Sequence, residues 1–259
     1  MGVVVAIAGK GGTGKTTLGA ALIRRLVHTG NGPVLAIDAD HNASLGLMLG
    51  LRVDQTLSDI REQTLKAAEN VGEIPKERLL DQWLNQIIVE ADGYDLITMG
   101  LPEGPGCYCY VNNLLRRYLS LLKRNYPFVV IDNAAGMEHL SRLTADEVQL
   151  LLLVGEPTYM GLITARRINE LASRLPIRTG RRVLVLNKMG PEGLPPEATE
   201  IAESLQVDTR VAVPYSESLA RFSPIGGGVA PPATDVASGP IGRLAELCRE
   251  VAGGPLVRT

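Results

Sequence analysis

The chain has 259 residues, 45% hydrophobic and 21% charged, which suits one α/β domain and leaves room for two small ones. It sets 26 Lys and Arg against 28 Asp and Glu, a net charge of -2, and only 4% of its residues are aromatic. That balance argues against a nucleic-acid coat or a base-stacking platform. The three cysteines, Cys107, Cys109 and Cys248, are too few and odd in number for a secreted disulfide framework.

The first apolar run, Val3–Ala8, reads as a buried strand. No basic region precedes it and a glycine loop follows at once, so it is not read as a secretory signal. No apolar run in the chain approaches the ~18 residues of a membrane span. The expectation is a soluble, cytoplasmic protein with neither a membrane nor a nucleic-acid partner.

Gly9-Lys10-Gly11-Gly12-Thr13-Gly14-Lys15-Thr16 fits the phosphate-loop pattern G-x-x-x-x-G-K-[ST]. The pattern alone has a real false-positive rate, but here a strand precedes it and a helix-period stretch, Thr17–His28, follows. Its glycines let backbone N–H groups turn inward around phosphate oxygens, and the helix N-terminus adds partial positive charge. Lys15 is expected to reach the β- and γ-phosphates, Thr16 to ligate Mg²⁺ and Thr17 to contact the α-phosphate. Lys10 is a second lysine in the same tight loop, costly unless more negative charge arrives.

The next strand, Val34–Ile37, leads into Asp38-Ala39-Asp40-His41-Asn42. Carboxylates at the carboxyl end of a parallel strand lie where ligands bind in such folds. Residues 52–92 are polar, charged and helical in period, and are expected to form a helical insertion. The strand Tyr94–Thr98 is followed by Gly104-Pro105-Gly106-Cys107-Tyr108-Cys109. A tetrahedral thiolate site takes four ligands, and one Cys-x-Cys supplies two. Two copies of the pair across a two-fold axis would complete it. Inert buried thiols, a redox dithiol and an iron–sulfur cluster bridging two subunits are the other readings of the pair.

After a helical stretch, Val111–Lys123, the strand Phe128–Ile131 ends in Asp132, where a Mg²⁺-holding carboxylate is expected. Further strands are read at Leu150–Val154, Val183–Leu186 and Val211–Val213, with helices at Leu162–Leu175 and Pro195–Leu205. Asn187-Lys188 closes one of these strands; an Asn amide suits the N6/N7 edge of adenine. No Asp stands two residues beyond Lys188, as a guanine-reading N-K-x-D requires, and this favours ATP. Pro214-Tyr215 is expected to line the base pocket. A Gly/Pro-rich loop, 223–240, precedes the last helix, Ile241–Val251, where Cys248 sits among leucines as a packing residue. Near-continuous strands alternating with helices define a doubly wound α/β layout with a mostly parallel sheet of seven or eight strands, and the whole chain, 1–259, is read as one P-loop domain.

The motif K-G-G-T-G-K-T resembles the deviant Walker A of the MinD/ParA/nitrogenase-iron-protein class. The resemblance implies that Lys10 crosses a dimer to the partner's nucleotide, so that two ATP molecules are sandwiched between subunits. It also implies that Asp40 positions the attacking water, with Asp38 in a supporting Mg²⁺-side role. His41 stands where the class often has Pro. Asn133-Ala134-Ala135-Gly136 resembles the class's second switch, D-x-x-x-G, and the Gly136 amide would sense the γ-phosphate. Taken with G-P-G-C-Y-C, I-D-N-A-A-G-M-E-H-L and V-G-E-P-T, the chain resembles the nickel-insertion ATPase of carbon monoxide dehydrogenase maturation, and equally the accessory ATPase of acetyl-CoA synthase maturation. That implies a homodimer binding Ni²⁺ or Zn²⁺ at Cys107 and Cys109 and serving a client apo-enzyme. Glu138 and His139 are candidates to relay the nucleotide state to the metal loop, with a helix-start charge and a packed imidazole as the structural alternatives.

The alternatives of other classes are a positioning ATPase of the MinD/ParA type and an iron–sulfur electron carrier. The first should end in a basic amphipathic helix or carry a basic DNA-binding face. Here the chain ends Ala-Gly-Gly-Pro-Leu-Val-Arg-Thr, and its basic cluster is Arg178, Arg181 and Arg182. Neither form of positioning ATPase explains the cysteine pair.

Overall fold

In the computed structural model, residues 2–60, 86–101, 122–135, 147–220 and 237–253 are described. Eight strands form one sheet: β1 (Val3–Gly9), β2 (Val34–Ala39), β3 (Val89–Ala91), β4 (Tyr94–Thr98), β5 (Phe128–Asn133), β6 (Glu147–Gly155), β7 (Arg178–Met189) and β8 (Thr209–Pro214). Their order is β3-β4-β2-β5-β1-β6-β7-β8, parallel throughout except for β3. The described helices are α1 (Lys15–His28), α2 (Ser44–Leu49), α3 (Tyr159–Arg174), α4 (Pro196–Ser204), α5 (Glu217–Ala220) and α6 (Ser238–Gly253). The expected doubly wound layout is therefore the one observed.

The central strands β1, β2 and β5 are buried at every position and apolar up to their carboxyl ends, because both faces are covered. On one face Val5, Ile7, Val34, Ala36 and Val130 pack with Leu18, Leu22 and Leu26 of α1 and Leu244 and Leu247 of α6. On the other, Ala6, Leu35, Ile37, Leu151 and Leu153 pack with Leu162 and Ile168 of α3 and Ile201 of α4. Moving from β1 to β2 the chain crosses by α1 toward one edge; from β6 to β8 it crosses by α3 and α4 toward the other. Crossovers share one hand, so reversing direction puts the helices on opposite faces. The reversal occurs at β1, and the loop that leaves β1 opens at that switch point.

Two departures from the sequence expectations concern strands at the sides of the sheet. Val89–Ala91 lies inside the expected helical insertion of 52–92, yet it pairs antiparallel with β4, Val89 opposite Leu96 and Ala91 opposite Tyr94. Its connection is Asp92-Gly93, with Gly93 at φ 80, the turn chemistry of a tight hairpin. The short run carries Glu90 in its middle and so escapes a search for apolar runs. Strand β7 also begins five residues earlier than its apolar stretch Val183–Leu186, at Arg178. Its basic start is held by local partners: Arg181 meets Glu250 at 2.6 Å, Arg182 donates to Ser173 Oγ at 2.7 Å and Asn169 Oδ1 at 3.0 Å, and Arg178 lies 3.8 Å from Glu147. The basic cluster read from the sequence is thus largely engaged within the chain.

Cys248 is fully buried among α6, α1 and sheet side chains, and burial pushes its thiol up to about 12, in keeping with a packing role. No helix among the described residues is long and apolar enough to cross a membrane.

Ile37 has no exposed surface and sits in the middle of β2. Ile37→Ala should cost about 2–5 kcal/mol, through lost transfer energy and an unfilled cavity, as measured by urea unfolding.

Candidate functional site

Between β1 and α1 the backbone turns through Gly12 at φ 81 and Gly14 at φ 88, both left-handed. Glycine adopts that conformation without steric penalty. Gly14 is constrained a second time, because a side chain there would collide with the Asn187 amide. Gly14 is also the N-cap of α1, where no side chain caps the helix and no acidic residue occupies the first turn. The first-turn N–H groups, including those of Thr16 and Thr17, therefore keep their capacity for an anion, and the helix dipole favours one.

Thr13 is buried, and its hydroxyl donates to the Lys10 carbonyl at 2.9 Å. Lys15 Nζ donates to the same carbonyl at 3.2 Å. Lys10 itself is exposed, as are Gly11 and Gly12. A Cβ at Gly11 would stand 3.5 Å from that of Ala135, so the loop lies against the start of the second-switch segment.

Three polar side chains stand in a row beside this loop. Thr98, Asp38 and Asp132 are register partners on β4, β2 and β5. Each continues the alternation of Leu96, Ala36 and Val130, so all three face α1. Asp38 is fully buried; its Oδ1 accepts from the Asp40 N–H at 3.1 Å and its Oδ2 from the Leu45 N–H at 2.8 Å. Both oxygens thereby pin the segment that carries Asp40. Asp40 in turn accepts from the backbone N–H and side-chain amide of Asn42, both at 2.9 Å, with His41 Nδ1 3.5 Å away.

Asp132 is buried, and neither of its oxygens has a hydrogen-bond partner of ordinary geometry. Burial pushes its carboxyl up to about 6, against the pull of the nearby Thr16 hydroxyl and the Lys15 ammonium, while Asp40 adds to the rise. Burial raises Asp38 to about 7, with Asp132 and Asp40 pushing the same way and the two backbone N–H groups opposing. Burial lowers Lys15, and attraction to Asp132 and Asp40 offsets part of that. The cluster holds three carboxylates against one ammonium. The unpartnered oxygens of Asp132 beside the Thr16 hydroxyl fit a hard divalent cation such as Mg²⁺, which favours oxygen ligands.

On the far side of the loop, Asn187 Nδ2 donates to the Thr13 carbonyl at 2.7 Å. One donor of the amide expected to read adenine is thus engaged by the loop itself. Lys188 Nζ donates to the Gly12 carbonyl at 2.7 Å and pairs with Glu156 Oε1, also at 2.7 Å. Tyr215, which follows Pro214 at the end of β8, is exposed, and its N–H donates to the Met189 carbonyl at 3.0 Å. Pro214 and Tyr215 thus stay beside Asn187 and Lys188 at the same edge of the sheet. The sequence reading assigned no role to Glu156. The available signal was its position directly after a buried strand, the one that singled out Asp38 and Asp132.

Cys107, Cys109, Gly136, Glu138 and His139 lie outside the described residues. Among the described residues no group of three or more His, Cys, Asp or Glu side chains is arranged to hold a metal ion.

The raised carboxylates have a definite consequence for stability. Their folded pKa values, about 7 for Asp38 and about 6 for Asp132, exceed the unfolded value of 3.8, so the folded chain binds more protons between these limits. Their contribution to stability is then greatest at the acid end and is lost as pH rises through about 6 to 7. Without nucleotide, the melting temperature should fall between pH 5 and pH 8, and Asp132→Asn should flatten that fall and raise the value at pH 8, as followed by thermal denaturation.

Residues 4–224 match the CobQ/CobB/MinD/ParA nucleotide binding domain. An uncharacterized ATP-binding protein of Methanocaldococcus jannaschii is 39% identical over 223 residues, covering 85% of this chain and 87% of that protein. The carbon monoxide dehydrogenase accessory protein CooC of Rhodospirillum rubrum is 36% identical over 188 residues, covering 68% of this chain and 71% of that protein. Among solved structures, the septum site-determining protein MinD of Pyrococcus horikoshii, complexed with Mg-ADP, superposes with a TM-score of 0.69 at 22% identity, over 98% of each chain. The loop at the switch point, the carboxylates beside it and the match over most of the chain agree: this chain belongs to the CobQ/CobB/MinD/ParA family of nucleotide-binding domains.

Proposed function

We propose that the protein is an ATP-dependent metallochaperone that binds Ni²⁺ or Zn²⁺ through Cys107 and Cys109 at a homodimer interface and delivers nickel to carbon monoxide dehydrogenase or acetyl-CoA synthase. The observation that carries this reading is the coincidence of two features in one chain. It has a phosphate loop with an exposed second lysine, Lys10, and a Gly106-Cys107-Tyr108-Cys109 segment, and it is similar to a carbon monoxide dehydrogenase accessory protein.

In this reading the loop amides and the α1 N-terminus hold the β-phosphate, and Lys15 leaves the Lys10 carbonyl for the β- and γ-phosphate oxygens. Thr16 and Asp132 hold Mg²⁺, which neutralises phosphate charge. Asp40 orients a water so that its oxygen attacks the γ-phosphorus while the bond to the ADP oxygen breaks, giving ADP and phosphate. Asp38 keeps Asp40 in place through the two backbone N–H groups it binds. Lys10 reaches the partner subunit's nucleotide, where its charge is of use only when phosphate is present. Two Cys107/Cys109 pairs supply four thiolates, a set that suits either Ni²⁺ or Zn²⁺. Metal and ATP then share one interface, so each changes the affinity of the dimer for the other.

The central test is anaerobic metal titration with ADP or ATP present. Wild type should take up about one Ni²⁺ or Zn²⁺ per dimer, as four thiolates around one ion require, and Cys107→Ala/Cys109→Ala should lose it. Unchanged uptake in the double variant would refute the metal assignment. A second expectation concerns the dimer: Lys10→Ala should weaken ATP-driven dimerisation, read by sizing, while ADP binding by the monomer persists.

A further inference from the structure

We infer that Glu156 is a positioning residue for the phosphate loop, acting through Lys188. The argument starts from a backbone irregularity. Lys188 sits at φ 60, one of two described non-glycine residues with a positive φ, and the β7–β8 register shifts between Asn187 and Met189. Such a conformation is costly for a residue with a side chain and persists where the surroundings enforce it.

The irregularity redirects a side chain. Val183 and Val185 face α1, and Leu184 and Leu186 face α3 and α4. Strict alternation sends Asn187 toward α1 and Lys188 the other way. The left-handed turn instead brings Lys188 Nζ to the Gly12 carbonyl, beside Asn187 on the Thr13 carbonyl. Two consecutive carbonyls of the loop are thereby held toward the end of β7.

A peptide unit is planar and trans, so fixing the carbonyl of one residue fixes the following N–H in the opposite direction. Holding Gly12 and Thr13 by their carbonyls turns the N–H groups of Thr13 and Gly14 away from β7; that of Thr13 meets the Lys10 carbonyl at 3.4 Å, inside the loop. Gly14 thus directs its N–H, next to the first turn of α1, to the side on which an anion-binding concavity is made. The orientation is thus set by the protein's own bonds, which lowers the ordering cost of binding phosphate.

Glu156 completes the device. It follows β6 and continues the face of Leu152 and Val154, so it points toward α1 and reaches Lys188 Nζ at 2.7 Å. A lysine with only the Gly12 carbonyl to bind has many rotamers at similar energy. A carboxylate on the rigid end of the neighbouring strand selects the one that spans both. Glu156 touches no nucleotide in this account; it holds the residue that holds the loop.

This inference rests on the reading of the loop as a phosphate site, and the experiment separates the two. Mg-ADP affinity is measured by titration calorimetry on wild type, Glu156→Ala, Glu156→Gln, Lys188→Ala and the Glu156→Ala/Lys188→Ala pair, with melting temperatures recorded alongside. Glu156→Ala should weaken binding by about 3-fold and Lys188→Ala by about 10-fold, in the range of contacts made by charged hydrogen-bonding groups. Glu156→Gln keeps an acceptor and should bind within about 2-fold of wild type. The double variant should bind no more weakly than Lys188→Ala alone, because the glutamate acts only through the lysine. Additive losses, or wild-type affinity in Glu156→Ala, would overturn the clamp and leave the metal-chaperone reading standing. A wild type that fails to bind Mg-ADP would overturn the phosphate-site reading and this inference with it.

Discussion

The central strand β1 has no free surface. β5 and β6 hydrogen-bond to its two edges, and helices cover its two faces. Its residues have nowhere to place a polar group until the strand ends at Gly9, and there the chain turns at once into the loop before α1. The same constraint acts on β2 and β5, which stay apolar until Asp38 and Asp132. Functional chemistry is therefore confined to one edge of the sheet, the carboxyl ends of its parallel strands. Because adjacent parallel strands are in register, carboxylates that end β2 and β5 become immediate neighbours.

That proximity costs free energy in the absence of compensating charge. Asp38 and Asp132 are both desolvated, Asp132 adds to the cost of charging Asp38, and Lys15 is the ammonium that offsets Asp132 and Asp40. Asp38 is stabilised by two backbone N–H groups, while Asp132 has no such bonds. The difference assigns them different work. One carboxylate organises the chain that follows it; the other has no such bonds to satisfy its oxygens. Folding supplies the environment that raises the electrostatic cost, and in the proposed function a cation with its nucleotide would relieve it.

Much of this was legible in the residues. The phosphate-loop motif between an apolar run and a helical one, the carboxylates closing two further runs, and the buried Cys248 are all local patterns whose physical meaning does not depend on distant parts of the chain. What was harder to read involves partners far apart in sequence. β3 is a strand because β4 offers it an edge, although Glu90 interrupts its apolar pattern. β7 extends back through its arginines because β6 continues alongside and carboxylates stand nearby. Asn187 was singled out because its amide suits adenine, and the bond of that amide to the Thr13 carbonyl, 174 positions away, was invisible in the local pattern. Glu156 stood within V-G-E-P-T and directly after a strand, but nothing local showed that it meets Lys188.

The sequence by itself determined the fold class, the phosphate loop and its two lysines, and the pair Cys107 and Cys109 on which the proposed metal chemistry rests. These follow from composition, period and spacing, which are properties of neighbouring residues. The tertiary structure alone decided which carboxylate anchors and which stays open, and that Asn187, Lys188 and Glu156 brace the loop from outside. Those outcomes depend on which strand ends meet at one edge of the sheet and on a single left-handed residue. Strand register and backbone turns are set by packing over the whole domain.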